Sequence, residues 1–228
     1  MAAAPRRAYR RAMSSSRRAL LAVPAALAAV LLAGCDLGDD GPRTTQTRDV
    51  AAFTRIDNGT SVDVRLRVGE PQHVQVRAGE NVIDDVGTEA RDGTLHLTFD
   101  HDGLGGNDVV VEASVPRLDG IDSSGSGDVD ADGIDADALE VHSTGSADIA
   151  LAGTAGRLAL DLRGSGDADL AGLTAREADV TVDGSGDVDV RADERLEVDV
   201  DGSGDVRYHG DPALTQRLDG SGELRRAS

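Results

Sequence analysis

The chain has 228 residues, 42 acidic against 23 basic, for a formal net charge of −19, with two Phe, two Tyr, no Trp and one cysteine. A surface this acidic repels nucleic acid and anionic lipid headgroups, and a single cysteine excludes an intrachain disulfide. So few large side chains exclude an ordinary globular core, leaving either disorder or small aliphatic residues stacked in layers.

The first 34 residues read as a signal peptide. Arg6, Arg7, Arg10, Arg11, Arg17 and Arg18 precede an uncharged run from Ala19 to Gly34; this is the profile of an export leader. The run is shorter than the roughly twenty apolar residues of a permanent membrane span and contains Pro24, so a cleaved signal helix is expected instead. It ends in Leu32-Ala33-Gly34-Cys35, similar to the bacterial lipobox, with cleavage between Gly34 and Cys35 and a lipid on the Cys35 thiol. Removing those six arginines from a charge of −19 leaves −25 on the mature chain. Residues 35–50 show no apolar periodicity and read as a flexible tether between lipid and domain.

Residues 51–116 carry strand signals with irregular spacing. Val62, Val64, Leu66 and Val68 alternate with polar residues, as do Val74 and Val76, Leu95, Leu97 and Phe99, and Val109 and Val111. Asn58-Gly59, Gly69-Glu70-Pro71 and Asp92-Gly93 punctuate them as turns.

Residues 117–228 repeat. Gly-Ser-Gly-Asp or a near variant begins at Gly125, Gly145, Gly164, Gly184, Gly202 and Gly220, at intervals of 18 to 20 residues. A fixed period of this length marks a solenoid whose coils bury their apolar faces only against neighbours. Before each motif apolar residues alternate with polar ones, as in Leu158, Leu160 and Leu162 or Leu196, Val198 and Val200, and the alternation resumes after it. Period two is the strand period. Each coil is therefore predicted to hold two strands joined by a glycine corner built from Gly125 and Gly127, Gly145, Gly164 and Gly166, Gly184 and Gly186, Gly202 and Gly204, and Gly220 and Gly222. A second corner is expected near Gly133, Gly153, Gly172, Ala192 and Gly210. Positive φ and a turn with no side chain in its way are the predicted reasons for the corner glycines, hydrogen bonding between coils or to corner amides the predicted role of the corner serines, and the C-terminal arginines the predicted cap of the last coil.

Phe53-Thr54-Arg55-Ile56, Ala78-Gly79-Glu80-Asn81-Val82-Ile83, Asp92-Gly93-Thr94-Leu95-His96-Leu97, Val115-Pro116-Arg117-Leu118 and the glycine-serine series together resemble the head GIN domain family of auto-transporter adhesin heads. The resemblance runs from Phe53 to the C-terminus. It implies an all-β fold, a right-handed parallel β-helix, on an exported or lipid-anchored protein, and it supplies no catalytic residues.

The acids that close each motif, Asp128, Asp148, Asp167, Asp187, Asp205 and Glu223, are the candidate metal ligands, because calcium takes six to eight oxygens and stacked carboxylates beside open carbonyls can offer them. The competing reading is a solvated acidic face with no metal or other cofactor. His73, His96, His101, His142 and His209 lie at no metal-ligand spacing. A glycan-active β-helix enzyme is the remote alternative, since no serine sits in a nucleophile elbow and aromatic platforms are scarce. The expectation is a non-enzymatic module, lipid-anchored on the extracytoplasmic face of the cell membrane. It displays a surface to an envelope protein or glycan, or serves a structural role there, while calcium-dependent binding stands as the alternative and the oligomeric state is left open.

Overall fold

The computed structural model describes residues 40–100 and 108–227. The predicted signal helix, Gly34 and Cys35 lie outside the described residues.

Alternating inward and outward side chains produce fifteen strands and one 3-10 turn. In chain order these are β1 (Arg43–Thr47), β2 (Arg55–Asn58), β3 (Asp63–Val68), β4 (His73–Gly79), η1 (Ile83–Asp85), β5 (Val86–Arg91), β6 (Thr94–Phe99), β7 (Val110–Val115) and β8 (Gly120–Ser123). The long strands β9 (Val129–Ser143), β10 (Ile149–Leu162), β11 (Ala168–Gly184) and β12 (Val188–Gly202) follow, then β13 (Val206–His209), β14 (Ala213–Gly220) and β15 (Leu224–Arg226). The fold is all-β, a solenoid, as the repeat predicts.

Two sheets enclose the core. The first runs β1-β4-β7-β3, then the N-terminal parts of β9 to β12, then β13 and β15. The second runs β5-β6-β2-β8, then the C-terminal parts of β9 to β12, then β14. Each long strand crosses from the first sheet to the second at the predicted second corner, where the pairing register of β10 shifts between Ala150 and Gly153 against β11. Gly153 takes a φ of +135° there and Gly133 one of +77°, a region open to glycine at little cost. The strands thus continue through this corner and break only at the glycine-serine corner.

Inside, equivalent residues stack at one strand spacing, about 4.8 Å. Leu139, Leu158, Ala178 and Leu196 form one such ladder, and Val141, Leu160, Val180 and Val198 another, all buried. Each fully buried Leu or Val contributes roughly 1.5–3 kcal/mol, so repetition builds a core without aromatic bulk.

The N-terminal region belongs to the same tube, but its coils are out of chain order. β2 lies parallel between β6 and β8, and β3 lies parallel between β7 and β9, so the earliest coil sits between two later ones. This interleaving is why the repeat is invisible there. Antiparallel β4 and β1 extend the first sheet, and antiparallel β5 extends the second.

One segment departs from expectation. The stretch 40–50 was expected to be tether, yet Arg43–Thr47 pairs antiparallel with β4 along five residues. Its three threonines favour extended backbone, and the pairing shields the β4 edge.

Candidate functional site

The acids of the glycine corners form a continuous hydrogen-bonded ladder. Oδ1 of Asp128 accepts the amide of Asp148 at 3.0 Å, Asp148 accepts Asp167 at 2.9 Å, and Asp167 accepts Asp187 at 2.8 Å. Asp187 in turn accepts Asp205 at 2.8 Å, and Asp205 accepts Glu223 at 3.0 Å. Each carboxylate therefore clasps the backbone of the following coil. The ladder begins one rung before the repeat, at Asp63, whose Oδ1 accepts the Asp128 amide at 3.1 Å. Sequence reading missed Asp63 because no glycine-serine pair precedes it. A subtler signal was present: in the first four coils the acid follows a buried strand-end residue by five positions, Asn58 to Asp63, Ser123 to Asp128, Ser143 to Asp148 and Leu162 to Asp167.

The glycines at this corner answer mainly to crowding. A Cβ on Gly145 would fall on the Gly125 carbonyl oxygen, and one on Gly164 would fall on that of Gly145. This is the predicted need for a turn without a side chain; the other predicted reason, positive φ, holds at Gly184, Gly202 and Gly220 but not at Gly145 or Gly164. The serine prediction also needs correcting. Ser126, Ser146, Ser165, Ser185, Ser203 and Ser221 are exposed. Their amides make the bonds between coils, as from Ser165 to the Gly145 carbonyl at 3.2 Å, while among the described residues their hydroxyls make none.

Beside the ladder, the outer face of the first sheet carries a second row of side chains in register: Gln75, Glu112, Arg65, Asp130, Ala150, Asp169, Asp189, Arg207 and Arg225. Around Arg65, Arg67, His73, Asp130, Asp132 and Asp169 this face dips into a groove of about 750 Å³, floored by Ala150 and Ala152. The small alanines leave the depression that longer side chains would fill. Further along, Asp167, Asp187, Asp189 and Arg207 line a smaller hollow of about 330 Å³. Acids on neighbouring strands, such as Asp169 and Asp189, repel by about 0.9 kcal/mol per pair at a strand spacing in water-like surroundings.

Among the described residues three groups have shifted pKa values. Burial in the groove pushes the Asp130 carboxyl up, with Arg65 opposing and the nearby acids Asp128, Asp132 and Asp63 adding to the rise. A hydrogen bond from Arg77 at 2.6 Å holds Glu112 below the usual range against its partial burial, helped by Gln75. Burial works to lower Arg55, but Glu140 at 2.9 Å and Asp122 at 3.4 Å outweigh it and raise the guanidinium. Arg65 and Arg67 make no hydrogen bond or ion pair within the described residues, which leaves their donors open to the groove.

The candidate metal ligands Asp128, Asp148, Asp167, Asp187, Asp205 and Glu223 thus line up across the first sheet, each just before the start of its strand. The Oδ1 atoms of all but Glu223 are already engaged by amides. Among the described residues no group of three or more His, Cys, Asp or Glu side chains is gathered to hold a metal ion. The histidines scatter: His96 pairs with Asp57 at 2.8 Å, His209 approaches Asp189 at 2.7 Å, His73 lines the groove, and His101 lies outside the described residues.

With this geometry in place, comparison with protein families matches residues 52–212 to the family described as "Putative auto-transporter adhesin, head GIN domain". The chain belongs to this family. Solved structures share the fold of this head GIN domain. A "putative adhesin" from Bacteroides fragilis superposes with a TM-score of 0.67 at 24% identity, covering 82% of this chain and 97% of that one. A "putative lipid binding protein" from Parabacteroides distasonis gives 0.55 at 21% identity, covering 82% and 98%. A "putative adhesin" from Parabacteroides merdae gives 0.50 at 17% identity, covering 84% and 98%. Comparison with curated proteins finds no match.

Proposed function

We propose that this head GIN domain is a surface-displayed module of adhesion type, without catalysis, held on the extracytoplasmic face of the cell membrane by a lipid on Cys35. Its contact surface is the outer face of the first sheet, and its partner is an envelope protein or glycan that presents positive charge there. The adhesin descriptions of the family and of two structural neighbours support the adhesion role. The observation that carries the choice of surface is the row Asp130, Asp169 and Asp189 along the groove and hollow, in which Asp130 and Asp169 have no ion-pair partner among the described residues and stay open to a cationic one.

Capture from envelope extracts tests the surface. Wild-type chain should retain a partner that 0.5 M salt releases, and Asp130→Asn with Asp169→Asn and Asp189→Asn should abolish retention while the fold stays intact. Equal retention by the triple variant sinks the assignment. The anchor is tested separately by detergent partitioning, where Cys35→Ser should leave the detergent phase. For the calcium alternative, melting is compared in Ca²⁺ and Mg²⁺ at equal ionic strength. A rise specific to Ca²⁺ would replace the cationic partner with a metal.

A further inference from the structure

The tube has unlike ends. At the N-terminal end β1, β4, β5 and η1 close over the core, burying Val74, Val76, Val82, Ile83 and Val86. At the other end β14 pairs only with β12, so its outer backbone edge has no strand partner among the described residues. Leu214, Gln216 and Leu218 continue the inward ladders of Leu196, Val198 and Val200. Leu214 and Leu218 are 39% and 40% exposed, and they are the large apolar side chains left exposed among the described residues. The arginines expected to cap this end do not cover them. Arg225 pairs with Glu223 and Asp205, Arg226 with Asp211, and Arg217 with Asp219 and Asp199.

We propose that this end is an interface between two copies of the chain, joined through antiparallel β14 strands about a two-fold axis at Gln216. Antiparallel pairing about one residue keeps inward side chains opposite inward ones. In this register Leu214 faces Leu218 of the partner subunit, Leu218 faces Leu214 of the partner subunit, and Gln216 meets Gln216 of the partner subunit through matching amides. The inward ladders then run unbroken from one tube into the next, and both β14 edges gain their missing hydrogen bonds.

Charge selects the occupant. The mature chain carries −25, yet residues 206–228 hold four arginines against Asp211, Asp219 and Glu223. With these arginines ion-paired to Asp189, Asp199, Asp205 and the segment's own acids, this end is far less acidic than the rest of the molecule, and a second copy approaching end-on avoids most of the repulsion its sides would meet. The N-terminal edge strands β1 and β5 of the two copies then lie at opposite ends of the doubled tube.

The test uses the full chain in mild detergent. Sedimentation should show a concentration-dependent dimer, and Leu214→Asp with Leu218→Asp should leave monomer with an unchanged circular dichroism spectrum. Because that variant could also weaken the fold, the register is read independently by crosslinking. Gln216→Cys should give a disulfide-linked dimer on mild oxidation, as its two copies would sit about 5 Å apart. Thr215→Cys and wild type should not, since Thr215 lies opposite Arg217 of the partner subunit and its two copies sit beyond disulfide reach. A wild-type chain that stays monomeric, a dimer that survives the double substitution, or a Gln216→Cys chain that forms no more crosslink than Thr215→Cys overturns the proposal.

Discussion

The amide of Asp187 donates a 2.8 Å hydrogen bond to the carboxylate of Asp167, one coil earlier. The same relation holds at every rung from Asp63 to Glu223. At the corner the serine amides bond carbonyls of the preceding coil, as from Ser185 to Gly164 at 3.0 Å, while the acid's own amide bonds a side chain instead. A short acceptor on the preceding coil completes the bonding, which gives the acid a purpose that needs no ion.

Asp167→Ala should therefore destabilise the domain by about 1 kcal/mol, the usual net worth of one hydrogen bond. Asp167→Asn, which keeps an acceptor oxygen and removes a like-charge neighbour, should lose less than half of that. Chemical denaturation of the three proteins decides it. Equal losses for Ala and Asn would show that charge, not the hydrogen bond, is what the position supplies.

Gly164→Ala should cost about 1–3 kcal/mol, since its Cβ meets the Gly145 carbonyl and the backbone must shift to admit it. Ser165→Ala, one residue on, should change stability by less than about 0.5 kcal/mol because the hydroxyl is exposed and unbonded. Thermal melts that rank the pair the other way would contradict the packing of the corner.

Ser143 is fully buried and its hydroxyl has no hydrogen-bond partner among the described residues. An unsatisfied buried hydroxyl costs about 1–3 kcal/mol, so Ser143→Ala should raise stability by about 1 kcal/mol, or about 2–4 °C in Tm for a domain of this size. A lower melting temperature would mean that the hydroxyl finds a partner in solution.

Glu112 supplies a pH dependence of known sign. Its folded carboxyl is held below the usual range by the Arg77 hydrogen bond, so its contribution is present above the unfolded value near about 4.3 and is lost as pH falls through the folded one. Glu112→Gln should be less stable than wild type at pH 7, with the gap closing under acid. A gap that stays constant from pH 7 to pH 3 would leave no linkage to this carboxyl.

Much of this was legible in the chain itself. Period-two alternation placed Leu158, Leu160 and Leu162 in the core, and the recurrence of Gly-Ser-Gly-Asp fixed the coil length, because each coil meets the same neighbour and so repeats the same chemistry. The residues cited for the family resemblance fall largely within the matched stretch 52–212.

What the sequence alone determined is the local rule: which residues face inward, where the chain turns, and that small aliphatics suffice when identical layers stack. Tertiary structure decided what depends on residues distant along the chain. Only the fold shows that β2 and β3 lie between later coils, which puts Asp63 beneath Asp128 across 65 positions and hides the first rung from a search for the glycine-serine repeat. Only the fold aligns Arg65 with Asp130 and Asp169 into a concave row, since three different coils contribute them. And only the fold leaves Leu214 and Leu218 uncovered, because their inward pattern matches that of Leu196 and Val200, and exposure depends on whether another layer follows.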